Sequence, residues 1–343
     1  MLVNAGDDAT LSRDSAALSS HARPVPAEEV RRYFEQRGPD VEKETFDPVL
    51  LRRQNNQAGL TVRGELEHVD SVSDSLVAGV PTRRYVPAGG TAQRIAVVWV
   101  HGGAWVHGDL EVYDGMARAL ANALPAEVLA VDYRLAPEHS FPAGLDDVWN
   151  VVLRAVDEFD VVVLAGDSSG ANLAAAAALK AREQGIHIDA QLLIYPVLDA
   201  NDTDFKRAFR ARYTPFVNQA RFGQSSYDRI RWIWDMYVPE PTRRLSPFAS
   251  PMRAKDLVGV APAVILTAEH DILRGEGEAY AARLRHDGVP VELLEFPGQI
   301  HGFLQMRGVF TDAARALDLG VAALRRLLAL QPAETHPSHP AQP

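Results

Sequence analysis

The chain has 343 residues, 47% hydrophobic and 23% charged, the make-up of an ordinary globular protein with material for a large core. A net charge of −10 argues against nucleic-acid binding, which needs a dense cationic face, and the arginines here are scattered among acids. The absence of cysteine excludes disulfides, thiolate metal sites and a cysteine nucleophile.

Residues 1–25 are polar and carry Asp7, Asp8 and Asp14. They read as a disordered tail, not as a signal peptide, which would need a basic stretch followed by an apolar one. No segment is apolar for long enough to span a bilayer, so a cytoplasmic protein is expected. Residues 26–60 have helical periodicity, with Val30, Tyr33 and Phe34 and then Val49, Leu50 and Leu51. They are expected to form an N-terminal cap segment.

From about residue 61 short apolar runs alternate with helix-like stretches. The runs are Ile95–Val100, Val128–Val131, Val161–Ala165, Leu192–Tyr195, Ala263–Thr267 and Val291–Phe296. Continuous Val- and Ile-rich runs suit strands covered on both faces. The alternation predicts an α/β protein, a mostly parallel, doubly wound sheet whose core spans 61–204 and 241–331. Between these halves, residues 205–240 break the rhythm with Tyr213, Phe216, Phe222, Tyr227, Trp232, Trp234 and Tyr237. A helical cap insertion over the sheet's carboxyl edge would have this composition. The Pro/His-rich residues 332–343 read as a second disordered tail.

Gly166-Asp167-Ser168-Ser169-Gly170 lies between the run at Val161 and the Ala-rich stretch after Ala171. Strand, G-x-S-x-G, then helix is the pattern of a nucleophile elbow, a strained turn that lifts a serine hydroxyl off the sheet. The glycine frame selects Ser168, because Ser169 would need glycines where Asp167 and Ala171 stand. After the run ending at Val100 comes His101-Gly102-Gly103-Ala104-Trp105. Backbone N–H groups of such a loop, together with that of Ser169, would stabilise a developing oxyanion. His101 itself reads as structural.

A general base must follow the nucleophile and an acid in this fold's order. His301 lies just past the final run, while His187, His270, His286, His336 and His339 fall in unsuitable places. For the acid, Glu269 and Asp271 both follow the preceding run, and Asp271 is preferred. It would hold the His301 imidazole in the correct tautomer.

With these pieces the chain resembles the hormone-sensitive-lipase-like carboxylesterases of the α/β-hydrolase superfamily over roughly residues 86–328. The resemblance rests on His101-Gly102-Gly103, Asp132-Tyr133-Arg134-Leu135-Ala136-Pro137-Glu138-His139, the elbow, the Asp271 segment and Ile300-His301-Gly302-Phe303, all in the family's order. It implies an α/β-hydrolase fold with a helical cap. It also implies hydrolysis of short- to medium-chain esters by Ser168, His301 and Asp271, with no cofactor and no metal. Oxyanion donors would come from Gly102, Gly103, Ala104 and Ser169. Arg134 and Glu138 would hold loops together.

Two residues depart from the family pattern: Ala104 replaces a third glycine, and Ser169 replaces alanine, only its backbone N–H being expected to matter. The partner implied is a small ester or acyl compound, with no nucleic acid and no membrane span; a homo-oligomer is compatible with the sequence. An acyltransferase, deacetylase or peptidase could use the same residues. A non-catalytic ligand-binding protein of this fold is the other alternative; gibberellin receptors of this kind lack the catalytic histidine, which is present here as His301.

Overall fold

The computed structural model describes residues 27–37, 45–91, 93–200 and 227–329. The expected tails (1–25 and 332–343) and the first part of the aromatic insertion (205–226) lie outside the described residues.

Two helices lead in, α1 (Glu28–Arg37) and α2 (Pro48–Val62). Asp47 starts α2 by accepting the Val49 and Leu50 amides at 2.9 and 3.2 Å, with Pro48 in the first turn, where its missing N–H costs nothing. There follow β1 (Ser71–Val77), β2 (Val80–Val86), β3 (Ile95–Val100), α3 (Asp114–Ala123), β4 (Glu127–Val131), α4 (Ala143–Glu158), β5 (Val161–Asp167), α5 (Ser169–Glu183) and β6 (Ala190–Ile194). The chain continues through α6 (Tyr227–Tyr237), β7 (Ala263–His270), α7 (Arg274–His286), β8 (Val291–Ile300) and α8 (Thr311–Ala329).

The strands form one eight-stranded sheet in the order β1-β2-β4-β3-β5-β6-β7-β8. The pairs β1–β2 and β2–β4 are antiparallel and all others parallel. All six predicted runs are strands. The hairpin β1–β2 was not foreseen, because β1 is exposed at almost every position and has no apolar run. Its turn, Ala78-Gly79, has positive φ at both residues, as a two-residue hairpin turn requires.

Why the central strands are apolar throughout is visible in β3. Ala96, Val98 and Val100 face the cluster containing α4 and α5, while Ile95, Val97 and Trp99 face the cluster containing α3 and α8. Helices cover both faces, so neither face of the pleat is left for polar side chains. Along α5, Ala174 to Ala178 are no more than 1% exposed, and their small size lets the helix lie close on the sheet. Leu173 and Leu179, equally buried, each contribute about 1.5–3 kcal/mol.

The strands β7 and β8 run past their predicted ends, with a register irregularity between Ala268 and His270. Asp271 and His301 therefore stand immediately beyond the two strand ends. At the elbow, a Cβ on Gly166 would lie 2.5 Å from the Gly170 carbonyl carbon, and one on Gly170 would run into the Val100 carbonyl oxygen. Both obstacles are backbone, which cannot swing aside as a side chain can. Gly170→Ala is therefore expected to cost about 3 kcal/mol or more, as overpacking does in a rigid core. Chemical denaturation measures this, and a midpoint unchanged from the parent protein would contradict the close approach.

Candidate active site

Ser168 joins β5 to α5 with φ +53° and ψ −116°, outside the regions that residues with a side chain ordinarily adopt. Its N–H is donated to the Ile194 carbonyl at 2.8 Å, which anchors the turn to the neighbouring strand. The geometry projects the hydroxyl over the sheet's carboxyl edge, where it meets His301. The distance from His301 Nε2 to Ser168 Oγ is 2.9 Å, and from His301 Nδ1 to Asp271 Oδ2 it is 2.6 Å. The Asp271 carboxylate fixes the tautomer: Nδ1–H donates to it, leaving Nε2 to accept the serine proton. Asp271 is fully buried, and its other oxygen accepts the Leu273 amide at 2.8 Å. Three residues chosen from sequence thus converge from the ends of three strands. Glu269, the other acid considered, accepts the Gly298 amide at 2.8 Å instead.

Desolvation works against a charged His301, but the Asp271 carboxylate outweighs it, aided by Asp167 and Glu276, and the net effect raises the pKa. Tyr195 packs its ring 4.8 Å from the imidazole.

The loop after β3 turns tightly. The Gly103 carbonyl accepts the Val106 and His107 amides at 3.0 and 2.9 Å, and Gly103, Ala104 and Trp105 all have positive φ, at +116°, +56° and +58°. Gly102 differs from the other expected oxyanion donors, because its N–H is donated to Asp167 Oδ1 at 2.6 Å. The amides of Gly103 and Ala104 make no hydrogen bond among the described residues, and Ser169 stands in the first turn of α5, whose N–H groups have no partner within the helix. His101 is fully buried and stacked between Tyr113 and Tyr133, with ring centroids at 5.3 and 4.5 Å. Its Nδ1 bonds the Gly102 carbonyl at 2.7 Å and burial lowers its pKa, in keeping with a structural role.

Sequence reading passed over Asp167. Its position between Gly166 and Ser168 was the available signal, but only the fold shows that the carboxylate turns back under the Gly102 loop. Burial pushes its pKa up to about 7, against the pull of the Gly102 amide, His301 and the Tyr113 hydroxyl, which lies 3.4 Å away. Because the folded state binds this proton more tightly than an unfolded chain does, the stability it contributes is full below the ordinary carboxylate range and fades as pH rises through about 7.

Arg134 grips Asp147 at the start of α4 at 2.8 Å, and Glu138 pairs with Arg52 of α2 at 2.8 Å. Each ties the segment after β4 to a helix. Among the described residues no group of three or more His, Asp or Glu side chains could hold a metal ion, and no helix is long and apolar enough to cross a membrane.

A family model described as an α/β-hydrolase fold matches residues 97–305. The chain belongs to the hormone-sensitive-lipase-like carboxylesterases. It is 38% identical over 262 residues to the carboxylesterase NlhH of Mycobacterium tuberculosis, covering 73% of this chain and 79% of that one. It is 31% identical over 294 residues to an ethyl acetate hydrolase of Pseudomonas putida, covering 81% and 89%. Among solved structures, a Pyrobaculum calidifontis esterase superposes with a TM-score of 0.77 at 30% identity, covering 89% of this chain and 99% of that one. This member of the family is a carboxylesterase-type hydrolase on an α/β-hydrolase scaffold.

Asp167 adds negative charge near His301 and so favours its protonated form. Asp167→Asn is expected to move the acid limb of kcat/KM to lower pH, since that limb reports the free enzyme's essential base. An acid limb that stays in place would mean that Asp167 is neutral wherever His301 titrates.

Proposed function

We propose that this hydrolase cleaves short- to medium-chain carboxylic esters through Ser168, His301 and Asp271, by way of an acyl-enzyme. The observation that carries the reading is the unbroken hydrogen-bond series from Ser168 Oγ through the imidazole to a buried carboxylate. As the hydroxyl attacks the ester carbonyl, Nε2 takes its proton and Asp271 stabilises the imidazolium that forms. The tetrahedral oxyanion is held by the N–H groups of Gly103, Ala104 and Ser169. Collapse passes the proton from His301 to the departing alcohol. A water molecule, deprotonated by the same nitrogen, then attacks the acyl group and releases the acid.

The cap is part of the proposal. Leu51 of α2 and Trp234 and Tyr237 of α6 belong to the cluster that includes Trp105, and Phe46 meets Trp232 with ring centroids 5.4 Å apart. The α2 segment and α6 thus share apolar packing near the loop bearing the proposed oxyanion donors. Aromatic bulk and the Ala104 methyl group there favour short acyl chains, and the similarity to an ethyl acetate hydrolase supports this preference.

Ser168→Ala is expected to abolish hydrolysis and phosphonate labelling while leaving the fold intact. His301→Ala should cost several orders of magnitude, and Asp271→Asn about 10⁴-fold, the loss that follows when the imidazole is held in the wrong tautomer. Collapse at Glu269→Gln with Asp271→Asn unaffected would reassign the acid.

Substrate class is tested with a p-nitrophenyl ester series beside amides and acyl thioesters. Activity should peak at short to medium acyl length. A preference for amides would point to a deacetylase or peptidase, and turnover only with an added acyl acceptor would point to a transferase.

A further inference from the structure

The two departures from the family pattern, Ala104 and Ser169, meet in the structure. The Ser169 hydroxyl accepts the backbone N–H of Trp105, the residue after Ala104, at 3.1 Å. The Tyr133 hydroxyl donates to the His101 carbonyl at 3.0 Å, at the start of the same loop. Ser169 is fully buried.

The turn it touches needs holding. Ala104 at φ +56° and Trp105 at φ +58° are consecutive side-chain-bearing residues in the left-handed region, where glycine would sit without steric cost. Such a conformation persists only where its surroundings over-determine it. Here the N–H of Gly102 is fixed by Asp167, the residue before Ser168, and the N–H of Trp105 by Ser169, the residue after it. The Trp105 carbonyl accepts the Ala136 amide at 2.8 Å, and its ring lies parallel to Tyr237 at 4.0 Å.

We propose that the Ser169 hydroxyl is a positioning group that holds the Gly103–Trp105 turn in its left-handed form and so offsets the lack of a glycine at position 104. It acts through the Gly103 and Ala104 amides and touches no reacting atom. The inference rests on the esterase reading above and deepens it. Without the hydroxyl, Ala104 can leave the left-handed region and carry its N–H away from the oxyanion. With glycine at 104 that conformation has no steric cost, and the hydroxyl matters less.

The test is a double-mutant cycle of Ser169→Ala and Ala104→Gly, read on the full chain at a temperature where thermal unfolding shows every variant folded. Ser169→Ala should lower kcat/KM about tenfold, mostly through kcat, a fraction of what losing a whole oxyanion donor costs. Affinity for an alkyl boronic acid, which forms a tetrahedral adduct, should fall by the same factor while KM for the ester changes little. Adding Ala104→Gly should restore most of both losses. The proposal is overturned if Ser169→Ala stays within about twofold of the parent, if the loss lies in KM alone, or if Ala104→Gly recovers nothing. Ester hydrolysis that survives Ser168→Ala would instead overturn the triad reading and this inference with it. Hydrolysis that needs Ser168 but is indifferent to Ser169→Ala overturns this inference alone.

Discussion

A helix that starts one residue after a buried central strand must press its first turn against the carbonyl groups of the strand beside it. In this chain α5 does so against Val100 and His101, an approach that only the hydrogen on the Gly170 Cα permits. The cost is taken at Ser168, whose backbone is forced to φ +53° and is held there by its amide bond to Ile194. Much of the site depends on this one close contact. It sets the height of the Ser168 hydroxyl above the sheet and places Asp167 and Ser169 on either side, within reach of the loop after β3. The same packing brings the Ala-rich face of α5 down onto the sheet, so the strain is held by one of the most deeply buried parts of the fold.

Around that turn the electrostatics are arranged by burial. Asp271 is fully buried, accepts a backbone amide and bonds the imidazole of His301. Asp167, equally out of reach of solvent, has one amide and a distant phenol, and its affinity for a proton rises accordingly. Glu276, in the first turn of α7, accepts the Leu198 and Asp199 amides at 2.6 and 2.7 Å and adds a third carboxylate to the field at His301. A histidine among such groups keeps its proton to higher pH than a free imidazole.

The helices outside the sheet are tied to the same edge by polar contacts as well as packing. Arg52 of α2 reaches the Val106 and Ala136 carbonyls at 2.7 and 3.1 Å, spanning the loop after β3 and the segment beyond β4. Glu29 of α1 accepts from Gln299 at 2.7 Å and from the Thr311 amide at 2.9 Å, next to the loop that carries His301. The lead-in helices are thus bound to the loop after β3 and to the segment that carries His301.

Periodicity and glycine spacing determined a great deal here. Six of the strands were legible because strands buried on both faces must be apolar throughout, and Ser168 because only one serine has glycines in the right frame. His301 followed from chain order, which by itself left both Glu269 and Asp271 open as the acid. The β1–β2 hairpin was not legible, because an exposed strand carries no such run. Nor was the difference between Gly102 and Gly103 in the same loop: which amide is free and which is spent depends on where the Asp167 carboxylate turns, a contact across 65 positions of sequence. That Asp271 meets His301 while Glu269 meets the Gly298 amide depends on β7 and β8 running to their full lengths. Local sequence fixes backbone periodicity and the positions of residues of each chemical type. The direction in which a side chain points, and the amide it reaches, depend on neighbours that only the folded chain supplies.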